Sequence, residues 1–204
     1  IFDRNEWFYE QTSNARIYKN KETFVHGDWL DTISNYKNKF SLILSDLTSG
    51  NISYDHRGKF FSDIENALIE QGHFYDKVLT HDNLISVSSL IKKYQTMPVN
   101  NITVNYFSCE FLFCSELLGE TKKVETTKIY QQLNEASDSL RIKKFIELCK
   151  IITPEGFMWY YGKYWNELKL EYCKNLTKIN ELEDHKASPY FKRVKLFHFI
   201  KKNH

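Results

Sequence analysis

Glycine is scarce, with 7 residues in a chain of 204 and no two closer than six positions apart. A phosphate-cradling loop needs several glycines in one short turn, so none can be built here. Cysteine numbers only 4, and Cys109, Cys114, Cys149 and Cys173 form no C-x-x-C pair. They sit in apolar or amphipathic segments and read as small buried hydrophobes, not as a metal or redox site. The 7 histidines show no H-E-x-x-H spacing. The longest unbroken apolar run is the 5 residues Phe157 to Tyr161. A membrane-crossing helix needs about 18 or more, which excludes a membrane span. Charge of one sign is also lacking. Lys and Arg total 28 against 26 Asp and Glu, so general affinity for nucleic acid or anionic lipid is not indicated. No signal pattern follows Ile1, and a reducing cytoplasm is the expected compartment. The Asn51, Asn101 and Asn175 triplets match the glycosylation pattern but carry little meaning without a secretory route.

What is present is a well-patterned, aromatic-rich chain: 42% apolar, 16% aromatic and 26% charged, enough to fold around a core. The first eighty residues alternate strand and helix signals. Ile1-Phe2-Asp3 reads as the end of a strand, Asn5 to about Asn20 as a helix, and Thr23 to His26 as a short strand ending at Gly27-Asp28. Phe40 to Leu44 is a near-continuous apolar run of the kind buried on both faces in parallel sheets. A helix opens at Asp55, with Phe60, Phe61, Ile64, Leu68 and Ile69 at helical spacing and Gly72 as a left-handed cap. Phe74 to Leu79 is the next strand. This order predicts an α/β fold with an open, mostly parallel doubly wound sheet.

From Asp82 the texture becomes helical. Asn83 to Met97 is amphipathic and stopped by Pro98; Val104 to Leu118 reads as a helix capped at Asn100-Asn101; residues 124 to 152 are largely helical, as is Trp165 to Leu182. After Ser188-Pro189, Phe191 to Ile200 is β-prone. The expected organisation is therefore a core over 1–81, a helical insertion over 82–185 forming a lid, and a closing strand within 186–204. The aromatic group Trp159, Tyr160, Tyr161, Tyr164 and Trp165 reads as core, or as a stacking platform for a planar substrate. The basic tail from Lys186 reads as protection of an edge strand, or as a phosphate contact.

Ligands of open α/β sheets bind beyond the carboxyl ends of the strands. That rule nominates Asp3, Asp28 and Asp46, each directly after a strand. Such acids accept ribose hydroxyls and an adenine amino hydrogen, and Trp29 offers a ring to stack on. Each acid also has a plainer reading, as a cap for the following helix.

The segments Ile1–Asp3, Phe24-Val25-His26-Gly27-Asp28-Trp29 and Phe40 to Asp46 resemble consecutive strand ends of class I S-adenosylmethionine-dependent methyltransferases. The helix from Asp55, the strand Phe74 to Leu79 and the closing strand after Ser188-Pro189 continue the likeness, over about half the chain. The resemblance implies S-adenosylmethionine as cofactor, with Asp3 at the ribose and Gly27, Asp28 and Trp29 at the adenine. Asp46 and Leu47 would face the methyl group and the acceptor, with Asp46 as base if a proton must leave. One departure is large. The family's first strand and its glycine-rich turn, which holds the methionine end, should precede Asp3 and lie centrally in the sheet. The chain is therefore expected to be a fragment, or to need a missing N-terminal segment or a partner that completes the sheet. The acceptor is not legible. The alternatives are a non-catalytic α/β binding or scaffolding module, and a nicotinamide-dependent enzyme, which Gly27-Asp28-Trp29 suits less well.

Overall fold

A computed structural model describes residues 1–3, 6–11, 21–80, 84–118, 123–160, 174, 176–183, 186 and 193–202. The strands at the start of the chain form a small ribbon. β1 (Phe2–Asp3) pairs in parallel with β2 (Val25–His26), and the Gly27 N–H extends the ladder by donating to the Asp3 carbonyl at 3.1 Å. α1 (Glu6–Gln11) lies between them; the rest of the helix expected to Asn20 falls outside the described residues.

The main sheet contains β3 (Phe40–Asp46), β4 (Leu68–Leu79), β7 (Leu176–Glu183) and β8 (Val194–Lys201) in the order β3-β4-β8-β7. β3 and β4 are parallel, while β8 is antiparallel to both of its neighbours. The sheet is therefore mixed, not mostly parallel. The reason is the β7–β8 hairpin. Leu176–Glu183, within the stretch expected to be helical from Trp165 to Leu182, is a strand that pairs along β8 and buries Leu176. Cross-strand pairing has overridden a helical residue spacing. Residues 165–173 of that expected helix and Ser188-Pro189 lie outside the described residues.

α3 (Tyr54–Ala67) crosses from β3 to β4 and sets Phe60, Phe61 and Ile64 against Ile43, Phe74, Phe197 and Phe199. Each such buried side chain contributes roughly 1.5–3 kcal/mol. α3 ends at Ala67, and β4 begins at the next residue. Gly72 is consequently not a helix cap. It sits where the β3–β4 register jumps from Phe40↔Leu68 to Leu42↔His73, beside Gln71 at φ 57°. A Cβ there would meet the Ile69 carbonyl oxygen at 2.9 Å and that of Phe40 at 3.1 Å, so close backbone approach demands glycine.

Four helices build a second core: α4 (Val87–Thr96), α5 (Asn101–Phe113), α6 (Thr126–Ala136) and α7 (Leu140–Ile152). Ser86 caps α4, and Asn100 with Thr103 forms a capping box on α5. Phe107 stacks on Phe145 at 5.0 Å, with the Tyr94 ring edge-on to both. Glu110 on α5 accepts from Lys93 Nζ and Tyr94 Oη, each at 2.8 Å. The short ribbon of β5 (Val124–Glu125) and β6 (Met158–Trp159) closes this region. Cys114 and Cys149 are buried, with burial pushing each thiol up to about 12; Cys109 is partly buried, and Cys173 lies outside the described residues.

Candidate functional site

The C-terminal ends of β1, β2 and β3 open onto one cavity of about 700 Å³. Asp3, Asp28 and Asp46 all line it, together with Trp29. Local chain geometry explains why. After β2, Gly27 adopts φ 154° with its α-carbon against Thr32; a Cβ there would meet Thr32 Cγ2 at 2.6 Å. This turn sets Asp28 at the head of α2 (Trp29–Thr32), where its Oδ1 accepts the Leu30 N–H at 2.9 Å. The capping reading and the cavity reading of Asp28 therefore coexist. Gly27 itself is not in the cavity wall.

After β3, Leu47 takes the left-handed conformation at φ 59° and donates its N–H to the Lys77 carbonyl at 2.9 Å. Its side chain packs against the helical core, so Leu47 shapes the turn without lining the cavity. Asp46 is 77% exposed at the cavity mouth, with Lys77 Nζ 3.3 Å from Oδ1. An ion pair this exposed contributes little to stability. Trp29 is half-buried: its ring lies 5.3 Å from Phe2 and edge-on to Phe60 at 6.1 Å.

Three further residues shape the site. His56, on the first turn of α3, lines the cavity and has Nδ1 2.8 Å from Ser53 Oγ. Tyr160, just past β6, also lines the cavity, with its N–H donating to the Gly50 carbonyl at 2.7 Å. Buried Arg57 holds it there: its guanidinium donates to the carbonyls of Ile52 and Tyr160 and lies over the Tyr54 ring at 4.7 Å. Sequence reading passed over His56 and Arg57, although both open a helix directly after a strand-end loop. Of the aromatic group expected near the acceptor, Tyr160 reaches the cavity, Trp159 packs on the helical core, and Tyr161, Tyr164 and Trp165 lie outside the described residues.

Among the described residues no group of three or more His, Cys, Asp or Glu could hold a metal ion, and no helix is long and apolar enough to cross a membrane. A separate histidine pair, His73 Nδ1 and His198 Nε2 at 2.8 Å, lies on the sheet with the Tyr75 ring stacked on His198 at 4.2 Å. Burial, and then the neighbouring His73, hold His198 below the usual histidine value.

No protein-family model matches the sequence, and no curated protein matches it. Solved structures do match by shape. A S-adenosylmethionine-dependent methyltransferase from Methanosarcina mazei superposes with a TM-score of 0.58 at 9% identity, over 100% of this chain and 81% of that one. The 1,6-didemethyltoxoflavin-N1-methyltransferase of Burkholderia thailandensis, solved with its substrate and S-adenosylhomocysteine, gives 0.55 at 10% identity over 99% and 60%. A protein of Pyrococcus horikoshii gives 0.53 at 10% identity over 98% and 70%. The chain thus spans less than two thirds of the Burkholderia enzyme. The fold is that of the class I S-adenosylmethionine-dependent methyltransferases.

Proposed function

We propose that the chain is the larger part of a S-adenosylmethionine-dependent methyltransferase whose nucleoside subsite is the cavity at the ends of β1, β2 and β3. The observation that carries this reading is the meeting of Asp3, Asp28, Trp29 and Asp46 in one cavity of about 700 Å³, within the size range of small-ligand sites. The wall fits the nucleoside half of the group. Asp3 would accept from the ribose hydroxyls, Asp28 from the adenine amino group, and Trp29 would stack on the ring. The methionine half finds no comparable set, because no glycine-rich turn stands among the described residues near Asp3. When bound, S-adenosylmethionine supplies a methyl group activated for direct displacement. This chain's residues align the partners and exclude water. Tyr160, pinned by Arg57, closes the acceptor side. Asp46 would take a proton from an acceptor, and His56, which lines the same cavity, would be a second proton acceptor.

A second reading is a non-catalytic α/β module. Calorimetric titration with adenosine and with S-adenosylhomocysteine separates the two. On the enzyme reading both bind weakly, with affinities within about threefold of each other because only the nucleoside is held. Asp3→Ala and Asp28→Asn should each weaken both by roughly 1–3 kcal/mol, the cost of losing a buried or charged acceptor. If neither ligand binds while α5 and α7 amides remain protected from exchange, the non-catalytic module stands.

A further inference from the structure

β4 and β8 run antiparallel, and their register pairs Tyr75 with His198 and His73 with Ile200. His73 and His198 are therefore diagonal neighbours on one face of the sheet, turned away from Phe74 and Phe199 under α3. Diagonal positions lie within reach of long side chains, and these two rings meet at the surface of the sheet. His73 Nδ1 and His198 Nε2 are 2.8 Å apart. A separation this short requires a lone pair on one of them, so the two facing nitrogens share at most one hydrogen.

The residues beside the pair in the register bring no positive charge. Leu42 stands opposite His73 on β3, and Tyr75 and Asn180 stand opposite His198 on β4 and β7. The Tyr75 ring lies parallel to His198, with centroids 4.2 Å apart and planes 7° apart, and holds that imidazole in place. Neutral imidazole is a ligand for divalent transition ions, and the nitrogen separation decides which. Metal–imidazole bonds are about 2.0 Å long. Two of them at a right angle, as on a tetragonal ion, put their nitrogens about 2.8 Å apart, whereas a tetrahedral angle opens that to about 3.3 Å. The observed separation is that of the right angle. The ion then lies about 1.4 Å to one side of the line between the nitrogens, and rotation of the two rings brings both lone pairs onto it.

We infer that His73 and His198 chelate a tetragonal divalent ion, Cu(II) in preference to Zn(II), with water filling the remaining positions. Both imidazoles stay neutral. His73 binds through Nδ1 with its proton on Nε2, and His198 through Nε2 with its proton on Nδ1. The shared hydrogen moves to the far nitrogen of its own ring, and no electron is exchanged. The two ligands stand 125 positions apart in the chain, so the ion ties β4 to the β7–β8 hairpin. It binds the folded chain, where the rings already face one another, more tightly than the unfolded one, and thereby stabilises the sheet.

The test is calorimetric titration of residues 1–204, freed of metal, with CuCl2 and with ZnCl2 in separate runs, followed by electron paramagnetic resonance of the one-to-one copper complex. The expected result is one Cu(II) per chain, bound at least tenfold more tightly than Zn(II), with an axial spectrum split by two imidazole nitrogens. His73→Gln and His198→Phe should each weaken copper binding at least tenfold. His198→Phe keeps a ring against Tyr75, and protected α5 and α7 amides report that both variants are folded. His26→Ala should bind copper as the parent does. Saturating copper should also slow hydrogen exchange along β4 and β8 in the parent and in neither pair variant. Absence of one-to-one binding, copper affinity unchanged in either pair variant, or zinc bound as tightly as copper would each overturn the inference. The readout requires no nucleoside, so its failure is distinguishable from failure of the methyltransferase reading.

Discussion

The helical region and the sheet region solve the same problem to different degrees. Between Val87 and Ile152, four helices enclose a core in which Phe107, Phe111, Leu133, Ile142 and Phe145 are essentially inaccessible to water. Its polar groups are matched locally, by the capping box at Asn100 and by Glu110 among Lys93 and Tyr94. The sheet region buries one face well, under α3, and leaves the other face of β3 open. One region is closed by its own residues; the other holds the candidate site and, among the described residues, leaves one edge of β3 unpaired.

The sharpest way to break that comparison is a pair of truncations. Phe107→Ala should cost about 3–5 kcal/mol, because it removes a ring stacked on Phe145 and leaves a cavity. Leu44→Ala, on the open face, should change stability by no more than about 0.5 kcal/mol. Urea midpoints measure both. Equal losses would mean that the exposed face is covered in solution. Next in size is Glu110→Ala, which leaves Tyr94 Oη buried without its acceptor and should cost roughly 1–3 kcal/mol. Lys93 at the same site is 40% exposed, and water takes up its loss. In the sheet region, Gly27→Ala should cost about 1 kcal/mol or more, since φ 154° and the Thr32 methyl oppose a Cβ. It should also weaken adenosine binding by displacing Asp28.

The two regions also differed in how far the sequence disclosed them. Helical spacing located α4 and α5 closely, and the Asn100 cap marks the start of α5. It merged α6 and α7, because Ser137 to Ser139 interrupts the helix without proline or glycine. The alternation of strands and helices, with an acid after each strand, foreshadowed the cavity where Asp3, Asp28 and Asp46 meet. The β7–β8 hairpin was illegible, because Leu176–Glu183 pairs through backbone groups that any sequence offers. Gly72 was misread for a similar reason: its need is a close approach to Phe40, a residue far along the chain. Gly27 and Leu47, expected at the cofactor from the resemblance, stand in the turns that place Asp28 and follow Asp46. Arg57 acts through carbonyls at Ile52 and Tyr160, a pairing across about a hundred residues that no local pattern announces.

The smallest expected effect is one that pH can sort by region. Residues 84–160 contain no histidine, and burial drives the Tyr94, Tyr130, Cys114 and Cys149 groups there upward, away from neutrality. The sheet carries the His73–His198 pair, with His198 held below its usual value of 6.5. Its folded form therefore releases a proton that the unfolded chain keeps. Stability from this residue is intact above pH 6.5, falls as pH drops from 6.5 to the lowered folded value, and is flat below it. Partial exposure of the ring keeps the effect small. Hydrogen exchange from pH 8 to pH 5, corrected for intrinsic rates, should show protection declining at β4 and β8 while α5 and α7 hold steady. His198→Phe keeps a ring to stack on Tyr75 and should flatten that decline. A decline shared equally by the helices would mean that the two regions open together and that the division between them is one of architecture, not of stability.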